Sequence, residues 1–140
     1  MTNKTIGCDL CDEVGGELLW QDGVCRVVRV EEPGYLGFCR AIWNAHIREM
    51  TDLNDTDRLR LMQVVFAVEA ALRELLRPHK INLASLGNMT PHLHWHVIPR
   101  FEDDPHFPHP IWGQQQRGIR LFEAEEISGK LAAALTRTLG

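Results

Sequence analysis

The clearest hydrophobic pattern lies in the middle of the chain, where apolar residues recur at the three- and four-residue spacing of a helix. We predict one long helix that begins after Asn54, which can cap it, and ends near Pro78, which cannot continue it. The apolar stripe comprises Leu61, Val65, Val68, Leu72 and Leu75. Because residues at this spacing share one side of a helix, we expect this face to pack against the core.

Shorter segments rich in β-branched and aromatic residues predict five strands. They cover residues 17–21, 24–30, 35–43, 80–86 and 93–99. A final helix is expected over residues 123–139, and the Pro- and Gly-rich residues 102–118 predict an irregular loop. Strands in succession, interrupted by one long helix, predict an α+β domain with a mainly antiparallel five-stranded sheet and a C-terminal helix.

Length and charge limit the class of protein. A chain of 140 residues suits a single domain, which we expect to span residues 1–140. No stretch approaches the roughly 20 apolar residues needed to cross a bilayer, and no apolar signal core follows the first residues, so we expect a cytoplasmic protein with no membrane partner. The net charge of −4, with basic residues scattered along the chain, argues against a nucleic acid polymer as ligand.

Three histidines alternate with apolar residues near the last predicted strand. Because side chains alternate along a strand, His92, His94 and His96 are expected to share one face. The other face, expected to meet the core, carries Leu93, Trp95 and Val97. Two kinds of chemistry fit this array. One is a metal enzyme with the three rings as ligands, and the other is covalent catalysis at phosphorus by neutral imidazole, whose unperturbed pKa is about 6.5.

The segment HLHWHVIPR, residues 92–100, resembles the signature of the histidine-triad (HIT) superfamily, in particular of bacterial members that resemble diadenosine polyphosphate hydrolases. The resemblance covers most of the chain. Further matching positions, in chain order, are Cys8, Cys11, His46, Asn82, Gly87 and Asn88. The resemblance implies a HIT-like α+β fold, a homodimer with a continuous sheet, and a nucleotide hydrolase or transferase whose partner is a small-molecule nucleotide.

The resemblance also implies roles for individual residues. His94 would attack the α-phosphorus of a dinucleoside polyphosphate or nucleoside phosphoramidate and form a nucleotidyl-histidine. His96 would hydrogen-bond the phosphate and assist the leaving group, and His92 would complete the catalytic triad. The substrate-binding positions would be Asn82 and Asn88 at the phosphate, Glu31 or Glu32 at the ribose, and Thr90 near the leaving group. No organic cofactor is implied.

One position departs from the family pattern. Many relatives have a Ser or Thr that donates to the leaving group where this chain has Met89, although Thr90 is its neighbour. An alternative function therefore stays open, namely a nucleotide-binding or sensing module with little turnover.

The pair Cys8 and Cys11 has the spacing of half a zinc site, and no second such pair exists among the four cysteines. By resemblance to zinc-bearing relatives, His46 and His92 would be the third and fourth ligands of a structural zinc ion. Two free thiols are the other interpretation of the pair.

Overall fold

The protein, described for residues 4–140 by a computed structural model, contains one antiparallel sheet and three α-helices. The strands are β1 (Glu17–Gln21), β2 (Cys25–Arg29), β3 (Cys39–Trp43), β4 (Lys80–Ala84) and β5 (His94–Arg100). The helices are α1 (Asp9–Asp12), α2 (Asp55–Leu76) and α3 (Glu125–Leu139), and a 3₁₀ turn covers Met50–Asp52. All neighbouring strands are antiparallel in the order β1-β2-β3-β5-β4, which confirms the predicted α+β class.

Helix α2 forms where the apolar stripe predicts it. The Asn54 side chain accepts a hydrogen bond from the Asp57 N–H at 2.9 Å and so satisfies one of the free donors of the first turn. The helix ends at Leu76, and its C-cap residue Arg77 adopts a left-handed φ of 49° one residue before Pro78. The stripe residues Leu61, Val65, Val68 and Leu72 are fully buried. None of the helices within residues 4–140 is both long and apolar enough to cross a membrane.

The two faces of the sheet are covered differently. Helices α2 and α3 pack on one face and form the main core, which includes Leu93, Val97 and, partly buried, Trp95. On the opposite face, α1 and its neighbours bury Cys8 and Leu10 at one end. At the other end of this face, the loop after β5 packs on residues Tyr35, Phe38 and Ile98. The histidines His94 and His96 lie between these two coverings, so we call this side the histidine face.

Several boundaries differ from those the sequence predicts. Strand β3 begins at Cys39 and not at residue 35, because Gly34 and Gly37, with φ of 85° and 80°, turn the chain before it. Strand β4 ends at Ala84, two residues early, and β5 begins at His94, so that His92 lies in a bend before the strand. Helix α1 was not predicted, since four residues carry too little periodicity to be recognised.

Candidate active site and metal cluster

His94 is held by its own strand in one tautomer. Its Nδ1 lies 2.6 Å from the His92 carbonyl oxygen, which can only accept, so Nδ1 carries the proton and Nε2 keeps its lone pair. The Ser85 hydroxyl donates to the His94 carbonyl at 2.8 Å and fixes the backbone at this point. Burial lowers the pKa of His94, the bond to the His92 carbonyl opposes this, and the Arg40 charge lowers it further. The ring is therefore neutral near pH 7.

His96 lies beside His94 in an aromatic environment. The two imidazole centroids are 4.9 Å apart, and Trp112 and Phe38 meet the His96 ring edge-on at 4.9 and 5.7 Å. Burial lowers the pKa of His96 to about 4, with smaller contributions from His94 and Arg40. Within residues 4–140, the buried Nδ1 of His96 has no hydrogen-bond partner. A buried nitrogen without a hydrogen-bond partner is energetically unfavourable.

A cavity of about 370 Å³ opens in front of His94, within the size range of small-molecule sites. Its lining residues are Asp9, Leu10, Glu13, Gly15, Arg40, Thr90 and His94. A second cavity of about 340 Å³ lies between residues 34–36 and the loop after β5, and neither His94 nor His96 lines it. Of these two cavities, the first is the one that a triad imidazole, that of His94, borders.

The predicted substrate-binding residues differ in whether they lie at the cavity in front of His94. Thr90 lines the cavity in front of His94, whereas Met89 is 95% exposed and points to solvent. Asn88 lies in the same loop and is exposed. Asn82 is on the histidine face, opposite Ile98, and its side-chain oxygen accepts from Arg100 Nη1 at 2.8 Å.

The two candidate ribose acids point to different partners. The Glu31 carboxylate forms an ion pair with Arg29 Nη2 at 2.6 Å, next to the start of α3. The Glu32 charge acts instead on Arg40, whose pKa it raises against the larger lowering that burial causes. Neither acid lines the cavity in front of His94.

A separate cluster joins the N-terminal segment to the residue before β5. The Cys8 and Cys11 sulfurs both lie 3.4 Å from His92 Nδ1, and Cys11 Sγ lies 3.4 Å from His46 Nδ1. The four candidate ligand atoms lie within 4.8 Å of one another. For Zn–S of about 2.3 Å and Zn–N of about 2.0 Å, the edge of a zinc tetrahedron is about 3.5 Å.

The chemistry of the cluster also fits zinc. His92 Nε2 is hydrogen-bonded to the Trp43 carbonyl, so the proton is on Nε2 and the Nδ1 lone pair faces the thiols. Burial lowers the pKa of His92, which keeps the ring neutral as a metal ligand must be. Cys25 and Cys39 are fully buried elsewhere in the core and are free thiols.

The structure thus divides the three histidines. His92 points its Nδ1 into the Cys/His cluster, His94 borders the cavity, and His96 lies beside His94 among aromatic residues. The two sites are connected, because the His92 carbonyl accepts the hydrogen bond that orients the His94 ring.

Sequence reasoning did not identify Arg40 or Trp112 as part of the histidine face. Arg40 is the Cα partner of His96 across β3 and β5, and Trp112 reaches His96 from the loop after β5. The one available signal is that Arg40 interrupts the apolar run of β3 at a position that alternates away from the core.

Comparison with known proteins gives the same family. The profile described as "HIT domain" matches residues 12–103. Among curated proteins, none matches the chain. A histidine triad protein of Marinobacter aquaeolei is 28% identical, with a TM-score of 0.75, and the match covers 89% of this chain and 92% of that one.

Two further solved structures share the fold. A histidine triad protein of Bradyrhizobium japonicum is 27% identical with a TM-score of 0.72, over 89% of this chain and 92% of the other. A Zn-bound histidine triad family protein of Mycobacterium smegmatis is 21% identical with a TM-score of 0.68, over 94% and 95% of the two chains. With the family profile covering well over half of its residues, this chain belongs to the HIT domain family.

Proposed function

We propose that this protein is a nucleotide hydrolase or transferase in which His94 attacks the α-phosphorus of a dinucleoside polyphosphate or a nucleoside phosphoramidate. The observation that carries the proposal is the fixed tautomer of His94, on a neutral ring that borders a cavity of about 370 Å³. Membership of the HIT domain family supports a nucleotide-directed function.

The proposed reaction has two steps. The Nε2 lone pair of His94 forms a P–N bond while the bond from phosphorus to the leaving group breaks, which gives a nucleotidyl-histidine. Water then forms a P–O bond and releases a proton to solvent, while the P–N bond breaks and its electron pair returns to Nε2. The nucleoside monophosphate leaves, and His94 is neutral again. The hydrogen bond from Nδ1 to the His92 carbonyl stabilises the positive charge that develops on the ring in the first step.

His96 and Thr90 would act on the phosphate and the leaving group. Because the pKa of His96 is about 4, the ring is neutral near pH 7 and acts through hydrogen bonds, not as a charged acid. The Thr90 hydroxyl, which lines the cavity, can donate to the leaving-group oxygen of a dinucleoside polyphosphate or the leaving-group nitrogen of a phosphoramidate. Since Met89 faces solvent, its presence in the place of a Ser or Thr does not by itself favour a module without turnover.

We further propose that Cys8, Cys11, His46 and His92 hold a structural zinc ion. The ion would tie the N-terminal segment to the residue whose carbonyl orients His94. Zinc in this site would stabilise the fold and take no direct part in bond making.

A homodimer is the proposed assembly. Strand β4 is an edge of the sheet and carries Leu83, which is 36% exposed, and is followed by Leu86, which is 55% exposed. Open apolar edges are commonly paired by a second copy, which here would extend the sheet.

The test is hydrolysis of diadenosine polyphosphates and of adenosine phosphoramidate by the wild type, His94→Asn and His94→Ala. We expect both variants to lose activity by roughly 10³-fold or more, as for removal of a nucleophile. Variants that keep wild-type rates would contradict the proposal. Tight AMP binding by a wild type with no turnover would favour the binding module, and activity that chelation abolishes and metal restores in the folded protein would favour a metal enzyme.

A further inference from the structure

Arg40 places a cation on the histidine face. It lies on β3 as the Cα partner of His96 on β5, and partners on one face of an antiparallel pair have Cβ atoms about 5 Å apart. Its side chain also lines the cavity in front of His94, together with Thr90. The guanidinium therefore shares its surroundings with both histidines that border the proposed reaction.

The hydrogen-bonding capacity of Arg40 is almost unused. Within residues 4–140, its one hydrogen bond runs from Nη1 to the Gly15 carbonyl at 3.4 Å, which is the outer limit for such a bond. Its Nε is buried and has no partner among the described residues. Leaving a buried donor unsatisfied is unfavourable, and more so when the group is charged. The protein would gain by satisfying these donors with a ligand.

Arg26, on the neighbouring strand β2, is an arginine with a structural role on the same face and can be compared with Arg40. Its Nε donates to Val14 O at 2.9 Å, Nη1 to Asn44 Oδ1 at 2.8 Å and Nη2 to Leu10 O at 2.6 Å. These bonds anchor the N-terminal segment on the sheet. Arg40 has no comparable set, so anchoring does not account for its position.

The charge of Arg40 is also uncompensated. No acidic side chain of residues 4–140 lies within ion-pair distance of it, although Asp9 and Glu13 line the same cavity and Glu32 acts from further away. A half-buried cation without an ion-pair partner, beside the unpartnered His96 Nδ1, is suited to an anion.

We propose that Arg40 binds the non-bridging oxygens of the phosphate that His94 attacks, so that the cavity in front of His94 takes a nucleoside 5′-phosphate through the Arg40 guanidinium. This inference deepens the proposed function and rests on it for the identity of the ligand. The planar guanidinium can donate two parallel hydrogen bonds to a phosphate. Its charge would also stabilise the negative charge that builds up on these oxygens as the P–N bond forms.

The experiment compares AMP with adenosine by isothermal titration calorimetry, because the two ligands differ only in the phosphate. The proteins are the wild type, Arg40→Gln, Arg40→Lys and Arg73→Gln, the last removing an equal charge from an exposed position on α2. GMP and guanosine are measured in parallel. Zinc content and thermal midpoint are recorded for each protein, so that a loss of fold is recognised.

We expect the wild type and Arg73→Gln to bind AMP more tightly than adenosine. The Arg40→Gln substitution should lower this preference for AMP roughly 10- to 100-fold and leave the affinity for adenosine unchanged. Arg40→Lys keeps the charge but cannot donate two parallel hydrogen bonds, so its preference for AMP lies between those of the wild type and Arg40→Gln. In turnover, Arg40→Gln lowers kcat more than it raises KM if the contact strengthens in the transition state.

Three results would overturn the proposal. The first is a wild type that binds AMP no better than adenosine, or binds neither, and the second is a preference for AMP over adenosine that survives in Arg40→Gln. The third is an equal loss of affinity for both ligands together with a loss of zinc, which would indicate that Arg40 anchors the N-terminal segment. Failure of the proposed function is distinguishable. A protein with no nucleotidyl-His94, whose AMP preference still depends on Arg40, would refute the reaction and retain the phosphate site.

Discussion

The buried pair of Arg100 and Asp104 gives a prediction whose size follows from the contacts. Asp104 Oδ2 accepts from Arg100 Nε at 2.8 Å and from the Phe101 N–H at 3.1 Å. Its Oδ1 accepts from Arg100 Nη2 at 3.0 Å and from the backbone N–H groups of His106 and Phe107 at 3.1 and 2.8 Å. The two side chains are 2% and 3% exposed. This pair fixes the start of the loop that brings Trp112 onto His96.

The perturbation is Asp104→Asn. Whichever way the new amide turns, its NH₂ group meets at least two N–H donors, and Arg100 is left as a buried cation without a counter-ion. Removing one partner of a buried pair costs about 3–5 kcal/mol, against about 5–15 kcal/mol for the whole stability of a domain of this size. We therefore expect the free energy of unfolding, measured by urea denaturation with unchanged slope, to fall by about 3–5 kcal/mol.

The matched control is Asp103→Asn, one residue earlier. Asp103 is 68% exposed and lies 3.5 Å from the equally exposed Arg120, so its loss should change the free energy of unfolding by about 0.5 kcal/mol or less. If Asp104→Asn also lay within about 1 kcal/mol of the wild type, the assignment of the pair as an anchor of the loop would be refuted.

The same pair predicts a pH dependence. Burial alone would raise the pKa of Asp104, but Arg100 and the backbone N–H groups bring it down from 3.8 to about 2. A lowered folded-state pKa means that the stabilisation is fully present above the unfolded value near 3.8 and is lost as the pH falls towards 2. The stability difference between wild type and Asp104→Asn should therefore be constant from about pH 7 to 4 and shrink below that. A difference that is unchanged at pH 2 would contradict this reasoning.

Three further predictions concern the two sites. Purified protein should contain about one zinc ion per chain by elemental analysis; the Cys11→Ser variant should lose this ion, and the Cys25→Ala variant should keep it. Equal metal content in both variants would contradict the assigned ligands. Thr90→Val should lower kcat and Met89→Leu should leave it unchanged, because Thr90 lines the cavity and Met89 faces solvent. A larger loss of kcat in Met89→Leu than in Thr90→Val, measured in steady-state assays, would contradict this assignment. Because the neutral His94 ring is the nucleophile and its pKa is lowered, kcat/KM should stay level as the pH falls through 6.5 and should decline only below this value. An inflection of kcat/KM above pH 6.5 would contradict this prediction.

The sequence was sufficient for features that depend on local spacing. The apolar stripe and the Asn54 cap defined α2 to within a residue or two, because both act within a few turns of the helix. The alternation of residues 92–98 correctly separated the core side, with Leu93 and Val97, from the histidine side. The start of β3 was wrong because the turn at Gly34 and Gly37 depends on backbone conformations that the apolar pattern conceals.

Features that depend on distant pairing could not be read from spacing. The contact between Cys8 and His92 joins residues 84 positions apart, and only the family resemblance pointed to it. The relation of Arg40 to His96 follows from the register of β3 against β5, which no local pattern specifies. The contact of Trp112 with His96 likewise depends on the path of an irregular loop.

The most direct test of the central claim is intact-protein mass spectrometry, with peptide mapping, after mixing the protein with adenosine phosphoramidate or a diadenosine polyphosphate and quenching under alkaline conditions that preserve phosphoramidate bonds. The account predicts a mass increase of one nucleotidyl group on the peptide containing His94, absent in His94→Asn and retained in Arg73→Gln. Turnover by the wild type with no such adduct at any quench time, or an adduct on another residue that persists in His94→Asn, would contradict it.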